Sequence, residues 1–394
     1  MPDDRSIGQN IAAARKLAGL TQQQYAALAS YSISTVTKVE SGHEPASPAY
    51  IAAACRFLHV DQQRLTNTPY RETLDEEGPL VGMPELQALL AEGKYVRAEE
   101  PGSLDILASK MERLERLYRN DKGRQALAEL TPLIRRLYGA VHASNSDGER
   151  GRANALLSAA YVLTERLCRR FGFMSLAAPS LDMLESVAVK ADDPLFAAQA
   201  KIKRARILMY HDGYDLALSL VEEGAEAAAG DSQESLAVRG YGHLCGAIVA
   251  VRGRRRDLAL DHLSEAADLA RRVEGESDAY GTLFGIGNVG VHNVAVNLEI
   301  GEYAKAALDG WKLKLPKDMA PPRQGHHWQD TARAFLLMGE PRKSLAALNR
   351  ARKAAPQQTR LHPQVRETLR GIAMAERSQT DSLSNFSAWV GVRL

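Results

Sequence analysis

The sequence predicts an all-α protein in which a small N-terminal bundle precedes a long array of helix pairs. Apolar residues recur at helical spacing through most of the 394 residues. Good N-cap residues, among them Thr21, Ser32 and Ser47, stand directly before several of these runs. Beyond residue 200, a turn with Gly followed by a short helix recurs, and no β-branched run bounded by turn residues predicts a strand.

Composition limits the classes of function. The length allows two or three domains, and 45% hydrophobic with 25% charged residues is typical of a soluble globular protein. The formal net charge is +2, and residues 1–66 carry six Lys or Arg against five Asp or Glu. Because phosphate neutralisation supplies most non-specific affinity for nucleic acid, DNA binding by this chain is expected to need a symmetric homodimer.

The sequence predicts no cofactor, no metal site and no membrane span. Cys55, Cys168 and Cys245 are far apart and outside any C-x-x-C spacing. No apolar run approaches roughly 18 residues, and the N-terminus lacks the basic flank and apolar core of a signal peptide, so we expect a cytoplasmic protein. The motifs of zinc proteases, serine hydrolases and P-loop proteins are missing, and we therefore do not expect an enzyme.

The first 42 residues predict three short helices. Ile7, Ile11 and Ala14 form the apolar stripe of the first helix, which ends at Gly19. Residues 20–42, LTQQQYAALASYSISTVTKVESG, predict two further helices joined by a tight turn, and the outward face of the last consists of Ile33, Ser34, Thr37 and Lys38. In a helix-turn-helix the second helix lies in the major groove, so this segment predicts binding to a double-stranded DNA operator.

This segment resembles the Cro/C1-type repressors, also called the XRE family, which have a lambda-repressor-like domain of five helices. The match is carried by Leu20, Thr21, Gln22, Ser32, Ser34, Thr35, Val36, Glu40 and Gly42. The resemblance implies an ion pair between Arg15 and Glu40. It also implies phosphate contacts from Gln22 and Thr35, within a predicted DNA-binding set of Gln22, Gln23, Ser32, Ile33, Ser34, Thr35, Thr37 and Lys38. Ile33, where the family usually has a polar residue, either packs on a thymine methyl or belongs to the core.

Two more helices and a linker follow. Ser47 and Pro48 begin a fourth helix, and a short fifth around residues 62–65 completes a DNA-binding domain at residues 1–66. Residues 67–102 contain four prolines and the acidic run DEEG, with one short helical candidate at residues 85–91, and we interpret them as a linker.

Residues 103–394 predict a helical-repeat domain resembling a tetratricopeptide (TPR) α-solenoid. The candidate helices run at about 103–119, 121–143, 149–171, 180–191, 195–211, 214–229, 233–252, 256–273, 278–300, 303–314, 324–338, 341–355 and 363–377. A Gly turn followed by an Ala-rich helix recurs from residues 211, 252, 299 and 337. Small residues at these places let neighbouring helices approach, as in TPR hairpins, although the spacing is longer than the usual repeat.

This half also resembles the TPR-like part of large actinobacterial XRE regulators, through residues 284–302, 328–356 and the HPQVRETL run from residue 362. The resemblance implies a domain that dimerises and senses a signal. By wider analogy, peptide-sensing regulators with this layout bind a short peptide on the concave face of the repeats, often through Asn side chains.

Polar residues on the first helix of each pair face the concave side of a solenoid and are the candidates for an effector site. Asn presents both a donor and an acceptor to a peptide backbone, and Arg binds carboxylates bidentately. The predicted ligand-binding residues are Arg204, Arg239, His243, Asn288, His292 and His327. The alternative for each is a hydrogen bond in helix packing or a solvated side chain.

Two further motifs leave alternatives open. GIGNVG at residues 285–290 matches the dinucleotide-binding pattern, but its flanks are helical, so we expect the glycines to allow either close helix packing or a kink beside the site. The basic cluster from Arg252 to Arg256 is either a solvated turn or a contact to phosphate or DNA.

Together these patterns predict a sequence-specific DNA-binding transcriptional regulator whose repeat domain senses a small molecule or peptide and mediates homodimerisation. The effector would act by population shift, changing the placement of the two DNA-binding domains. The alternative is a TPR scaffold for protein interactions, or a regulator controlled by a protein partner without a small ligand.

Overall fold

The computed structural model describes residues 5–68, 80–376 and 381–392. Within these ranges the chain forms twenty-one α-helices and no strand, which confirms the all-α fold class. A five-helix N-terminal bundle precedes an array of antiparallel helix pairs. None of the described helices is both long enough and apolar enough to cross a membrane.

The N-terminal bundle has the predicted five helices: α1 (Ile7–Leu17), α2 (Gln22–Ala29), α3 (Ile33–Glu40), α4 (Pro48–Leu58) and α5 (Gln62–Thr66). The Thr21 hydroxyl caps α2 by accepting from the backbone N–H of Gln24, and the Ser32 hydroxyl caps α3 in the same way. Ile11, Tyr25 and Val36 are fully buried in its core. Burial of these side chains holds α3 against α1 and α2.

The segment interpreted as a linker contains a packed helix. In α6 (Met83–Glu92), Leu86 and Leu89 are fully buried in the same core as the first helices of the array. The Glu92 carboxylate pairs with Arg135 at 2.6 Å, which fastens α6 to the array. Residues 80–102 therefore pack as part of the repeat domain, and residues 69–79 of the predicted linker lie outside the described ranges.

The array begins with α7 (Leu104–Arg119) and α8 (Gly123–Ala143) and continues as five hairpins. Their inner helices are α9 (Asp147–Arg170), α11 (Leu195–Leu208), α13 (Gln233–Arg252), α15 (Ile286–Ile300) and α17 (Pro321–Leu337). Their outer helices are α10 (Ala177–Ala188), α12 (Tyr214–Ala227), α14 (Arg256–Ala270), α16 (Tyr303–Lys312) and α18 (Pro341–Ala354). The chain ends with α19 (Pro356–Leu361), α20 (Pro363–Ala375) and α21 (Asp381–Val390), of which α19 and α21 were not predicted.

The helix predicted at residues 278–300 begins only at Ile286. Residues 277–284, which we call the covering loop, fold back on themselves through two backbone hydrogen bonds between Ser277 and Phe284. Tyr280 and Leu283 have positive φ, which no helix accepts. The Phe284 ring is fully buried against Gly240 of α13, where a Cβ would lie 1.9 Å from a ring carbon. The covering loop is therefore anchored inside the array.

The array closes on itself. The Asp121 carboxylate, at the turn between α7 and α8, accepts hydrogen bonds from the backbone N–H groups of Gln357 and Gln358 at 2.8 and 3.2 Å. These are first-turn groups of α19, which an acidic side chain satisfies well. Leu361 of the same helix is buried in the core of the first helices. The two ends of the solenoid thus meet, and the array is a ring.

The N-terminal bundle lies against one rim of this ring. Arg254, at the turn between α13 and α14, donates to the Ser30 carbonyl oxygen at 2.7 Å and stacks over the Tyr31 ring. On α20, Gln364 donates to the Ala46 carbonyl oxygen at 3.1 Å. The loops that flank α3 therefore dock on the ring.

Candidate DNA-reading surface and basic cavity

The outward face of α3 is exposed. We call Ile33, Ser34, Thr37 and Lys38 the reading face; Ile33 is 49% exposed, so it stands outside the core. Val36 and Val39 on the opposite face are buried. An amphipathic helix with small polar groups and one cation on its free side can enter a major groove. Of the other predicted DNA-binding residues, Gln23 and Ser32 are exposed and Gln22 and Thr35 half-buried.

A buried polar network fixes α3 relative to α1 and α2. Arg15 donates to both carboxylate oxygens of Glu40, at 2.6 and 2.8 Å, which is the ion pair implied by the family resemblance. Gln22 donates to the same carboxylate at 2.9 Å, and the Thr37 hydroxyl donates to the Gln22 amide oxygen at 3.3 Å. The hydrogen bond with Glu40 raises the pKa of Arg15. Gln22 is thereby held beside the reading face.

A cavity of about 360 Å³ lies at the centre of the ring. The inner helices form its wall, residues 281–283 of the covering loop close part of it, and Pro48 and Thr66 of the N-terminal bundle complete it. Two acidic residues, Glu299 and Asp330, are among its lining residues. The nine cationic lining residues are Arg119, Arg166, Arg169, Arg170, Lys203, Arg206, Arg252, Arg323 and Arg333. We call this site the basic cavity.

Behind this wall, one carboxylate serves several cations. Glu165 of α9 is 1% exposed and lies 3.1 Å from Lys203, which is buried to the same degree, and it also accepts from Arg169. Although burial opposes ionisation of Glu165, Arg169 and Lys203 together lower its pKa. Burial also lowers the pKa of Lys203.

The described residues include no group of three or more His, Cys, Asp or Glu arranged to hold a metal ion.

Comparison with known proteins identifies the N-terminal bundle. Residues 6–67 match the family described as a helix-turn-helix domain. The bundle is a helix-turn-helix domain. Among solved structures, PlcR of Bacillus thuringiensis, in complex with the peptide PapR7 and DNA, is 13% identical, with 87% of this chain and 99% of that chain covered and a TM-score of 0.37. BtubC (BKLC) from P. vanneervenii is 14% identical over 68% of this chain and 90% of that chain, with a TM-score of 0.36. No curated protein matches the chain.

Two of the six predicted ligand-binding residues line the basic cavity. Asn288 accepts from Arg323 Nε through its amide oxygen at 2.5 Å, and Arg323 Nη2 lies 2.9 Å from His292 Nδ1. Burial, with the charge of Arg323 added, holds the pKa of His292 well below its usual range, so its ring is neutral. Asn288, His292 and Arg323 thus form one polar patch between α15 and α17.

The other four predicted ligand-binding residues do not line the cavity. Arg204 forms ion pairs with acidic residues of α10, the nearer being Asp182 at 2.6 Å. Arg239 donates to a backbone carbonyl at 3.2 Å, and His243 lies against a second histidine ring. His327 is fully buried and donates from Nε2 to a backbone carbonyl at 2.9 Å. Each of these contacts belongs to helix packing.

The cations of the basic cavity were missing from the predicted site. A weak signal for them exists, because Arg166 and Arg169, like Lys203 and Arg206, are cations three residues apart on an inner helix. Arg254 was also missing as a docking residue. Arg254 belongs to the basic cluster at residues 252–256, which the sequence predicted to be either solvated or in contact with phosphate. In the structure Arg254 instead donates hydrogen bonds to backbone carbonyl groups of the helix-turn-helix domain.

Proposed function

We propose that this protein is a DNA-binding transcriptional regulator of the XRE type, active in the cytoplasm as a homodimer, whose ring senses a small molecule or peptide. The observation that carries the proposal is the exposed reading face on a helix-turn-helix domain that also forms part of the wall of the basic cavity. A molecule in the cavity can touch both the ring and Pro48 or Thr66 of the helix-turn-helix domain.

The proposed mechanism is a population shift between placements of the helix-turn-helix domain. A ligand moves such an equilibrium only by its difference in affinity for the two placements. Contacts with α4 and α5 exist only while the domain is docked on the ring, so they supply that difference. In a dimer, the docked placement sets the distance between two reading faces, which has to match half-sites separated by whole turns of DNA.

Footprinting on the DNA upstream of its own gene, followed by band-shift titrations, tests the DNA-binding role. Lys38→Ala removes the cation of the reading face, and we expect a loss of about 1–3 kcal/mol at the preferred site with relaxed preference at one base pair. Lys110→Ala, an exposed lysine on α7, is the matched control and leaves the titration unchanged. Equal binding of every duplex by the unaltered protein contradicts the proposal.

Sedimentation of the protein with its footprinted duplex tests the homodimer. We expect two chains on one duplex, because a domain with little net charge gains its affinity from two reading faces. A single chain per duplex contradicts the dimeric part of the proposal and leaves the DNA-binding part intact.

A further inference from the structure

The wall of the basic cavity is not electrically balanced. Arg206 of α11 and Arg323 of α17 are mostly buried, yet in the described parts of the chain no carboxylate lies within ion-pair distance of either. Arg206 donates instead to the Tyr241 hydroxyl at 2.6 Å, a neutral acceptor. Burial lowers the pKa of Arg323 to about 10. Glu165 attracts Arg206, and Asp330 and Glu276 attract Arg323, each from beyond ion-pair distance. Two guanidinium groups therefore line the cavity without a directly paired carboxylate.

Glu299, one of the two carboxylates that line the cavity, is shared by two arginines and lies at a long distance from each. Glu299 lies 3.5 Å from Arg252 and 3.9 Å from Arg333, so one negative charge serves two cations. The Nε atoms of Arg252 and Arg333 and Nη2 of Arg166 are buried without a hydrogen-bond partner. Arg166 Nη2 lies 3.8 Å from an Asp278 carboxylate oxygen, and Arg252 and Arg333 share Glu299, so the cations of the wall outnumber the carboxylates that line it.

The pKa values of Tyr118, which is buried, and Tyr210, which is partly buried, reflect the resulting positive potential. Burial alone raises the pKa of a tyrosine, because it penalises the phenolate. Against that effect, Arg170 and Arg166 lower the pKa of Tyr118, and Arg252 and Arg169 lower that of Tyr210. Both rings line the cavity. Beside these two rings, the positive potential of the arginines outweighs the effect of burial on the phenolate.

The dimensions of the cavity limit the size of the occupant. A volume of about 360 Å³ lies at the lower end of the range for small-molecule sites. The helix-turn-helix domain on one side and residues 281–283 of the covering loop on the other form parts of its boundary. These boundaries favour a small molecule over a nucleic-acid strand or a folded protein.

We propose that the basic cavity binds a small polyanion, a molecule with several phosphoryl or carboxylate groups, through Arg206 and Arg323, which have no directly paired carboxylate, and through Arg252 and Arg333, which share Glu299. The proposal deepens the sensing role proposed above and rests on it for its regulatory meaning. Arginine donors suit such groups because the planar guanidinium binds two oxygens at once. The polyanion neutralises the buried cations and joins helices α9 to α17 around the ring.

Calorimetric titration of the full-length protein with sodium tripolyphosphate and with citrate, at constant ionic strength, tests this site. We expect saturable binding of one tripolyphosphate per chain and a higher Tm in its presence. Weak or absent binding of citrate assigns the site to phosphoryl groups, and comparable binding assigns it to polyanions in general. No saturable binding of either probe overturns the proposal.

Arg206→Met is the decisive variant. Loss of one charge-assisted contact corresponds to binding about tenfold to a hundredfold weaker. If Arg206→Met does not fold, Arg323→Gln replaces it, since Gln keeps a donor for Asn288 and should also weaken binding. Unchanged affinity in a folded variant overturns the proposal.

Two controls separate this site from other surfaces. Arg271→Met removes a cation that is 65% exposed on the outside of the ring, and tripolyphosphate affinity remains unchanged. Lys38→Ala weakens DNA recognition and leaves tripolyphosphate binding intact; loss of binding in this variant places the anion on the DNA surface and overturns the proposal. If tripolyphosphate binds without altering the footprint on DNA, the site stands and the sensing role fails.

Discussion

Removal of the Arg15 side chain tests how the reading face is held. In Arg15→Met, the Glu40 carboxylate stays buried, with its side chain only 6% exposed, and keeps one hydrogen bond, from Gln22. Breaking a buried ion pair from one side costs about 3–5 kcal/mol, since the remaining charge has no counter-ion. In a domain of this size each kcal/mol lowers Tm by about 4–8 °C. We therefore expect the helix-turn-helix domain to open at growth temperatures while the ring stays folded.

Hydrogen exchange of the intact protein, read by mass spectrometry, measures this opening. At about 1.4 kcal/mol per factor of ten, exchange in peptides covering residues 22–40 accelerates by a hundredfold to several thousandfold. Adding Glu40→Leu to Arg15→Met restores most of the protection, because an apolar pair can replace a buried ion pair. Arg113→Met, which breaks the half-exposed pair with Glu129, is the control and changes exchange by less than tenfold. An acceleration below tenfold in Arg15→Met refutes the reasoning.

Three further outcomes follow from the packing. Gly240→Ala places a methyl group inside the Phe284 ring, so we expect the covering loop to be expelled, with a lower Tm and fast exchange at residues 277–284. Burial lowers the pKa of His327 to about 4 and that of His362 to about 3. Below about pH 6.5 these two histidines take up protons in the unfolded chain and stay neutral in the folded one. The free energy of unfolding, measured by urea titration, should therefore fall as the pH is lowered from 6.5 to 4, by about 1.4 kcal/mol per pH unit for each histidine. Arg254→Ala removes a largely exposed contact with the helix-turn-helix domain, so we expect faster hydrogen exchange around Ser30 and Tyr31, while the free energy of unfolding changes by less than about 1 kcal/mol.

Local signals made most of the fold predictable. N-cap residues mark the start of a helix because their side chains accept hydrogen bonds from the free N–H groups of its first turn, and Thr21 and Ser32 cap α2 and α3 in this way. Gly turns mark the end of a helix because glycine readily leaves the helical conformation. The covering loop was predicted as helix because its apolar residues continue the helical spacing. Gly281 lies against Arg166 of α9, Tyr280 packs on Phe196 of α11 and Phe284 packs on Gly240 of α13, and no local pattern contains these long-range contacts. The packing of α6 on the array was missed for the same reason.

The site was less predictable than the fold. Asn288 and His292 stood out because they lie one turn apart on an inner helix, and both line the cavity. Arg204 is likewise a polar residue on an inner helix, yet its guanidinium is paired with Asp182 and Glu185 on the neighbouring helix. Whether a cation is free for a ligand depends on carboxylates brought close by tertiary structure. These distances depend on the fold, so the sequence pattern alone does not distinguish a residue that lines the cavity from one that is paired with a neighbouring helix.

Closure of the ring through Asp121 and α19 has a mechanical consequence. An open superhelix relaxes like a spring, since a small rotation at each repeat moves a free end. A closed ring has no free end. If the helices of one hairpin move outward, another hairpin has to move inward, or the hydrogen bonds of Asp121 with Gln357 and Gln358 have to break. A displacement of any inner helix is therefore distributed over all the hairpins of the ring. It also reaches the rim on which the helix-turn-helix domain is docked.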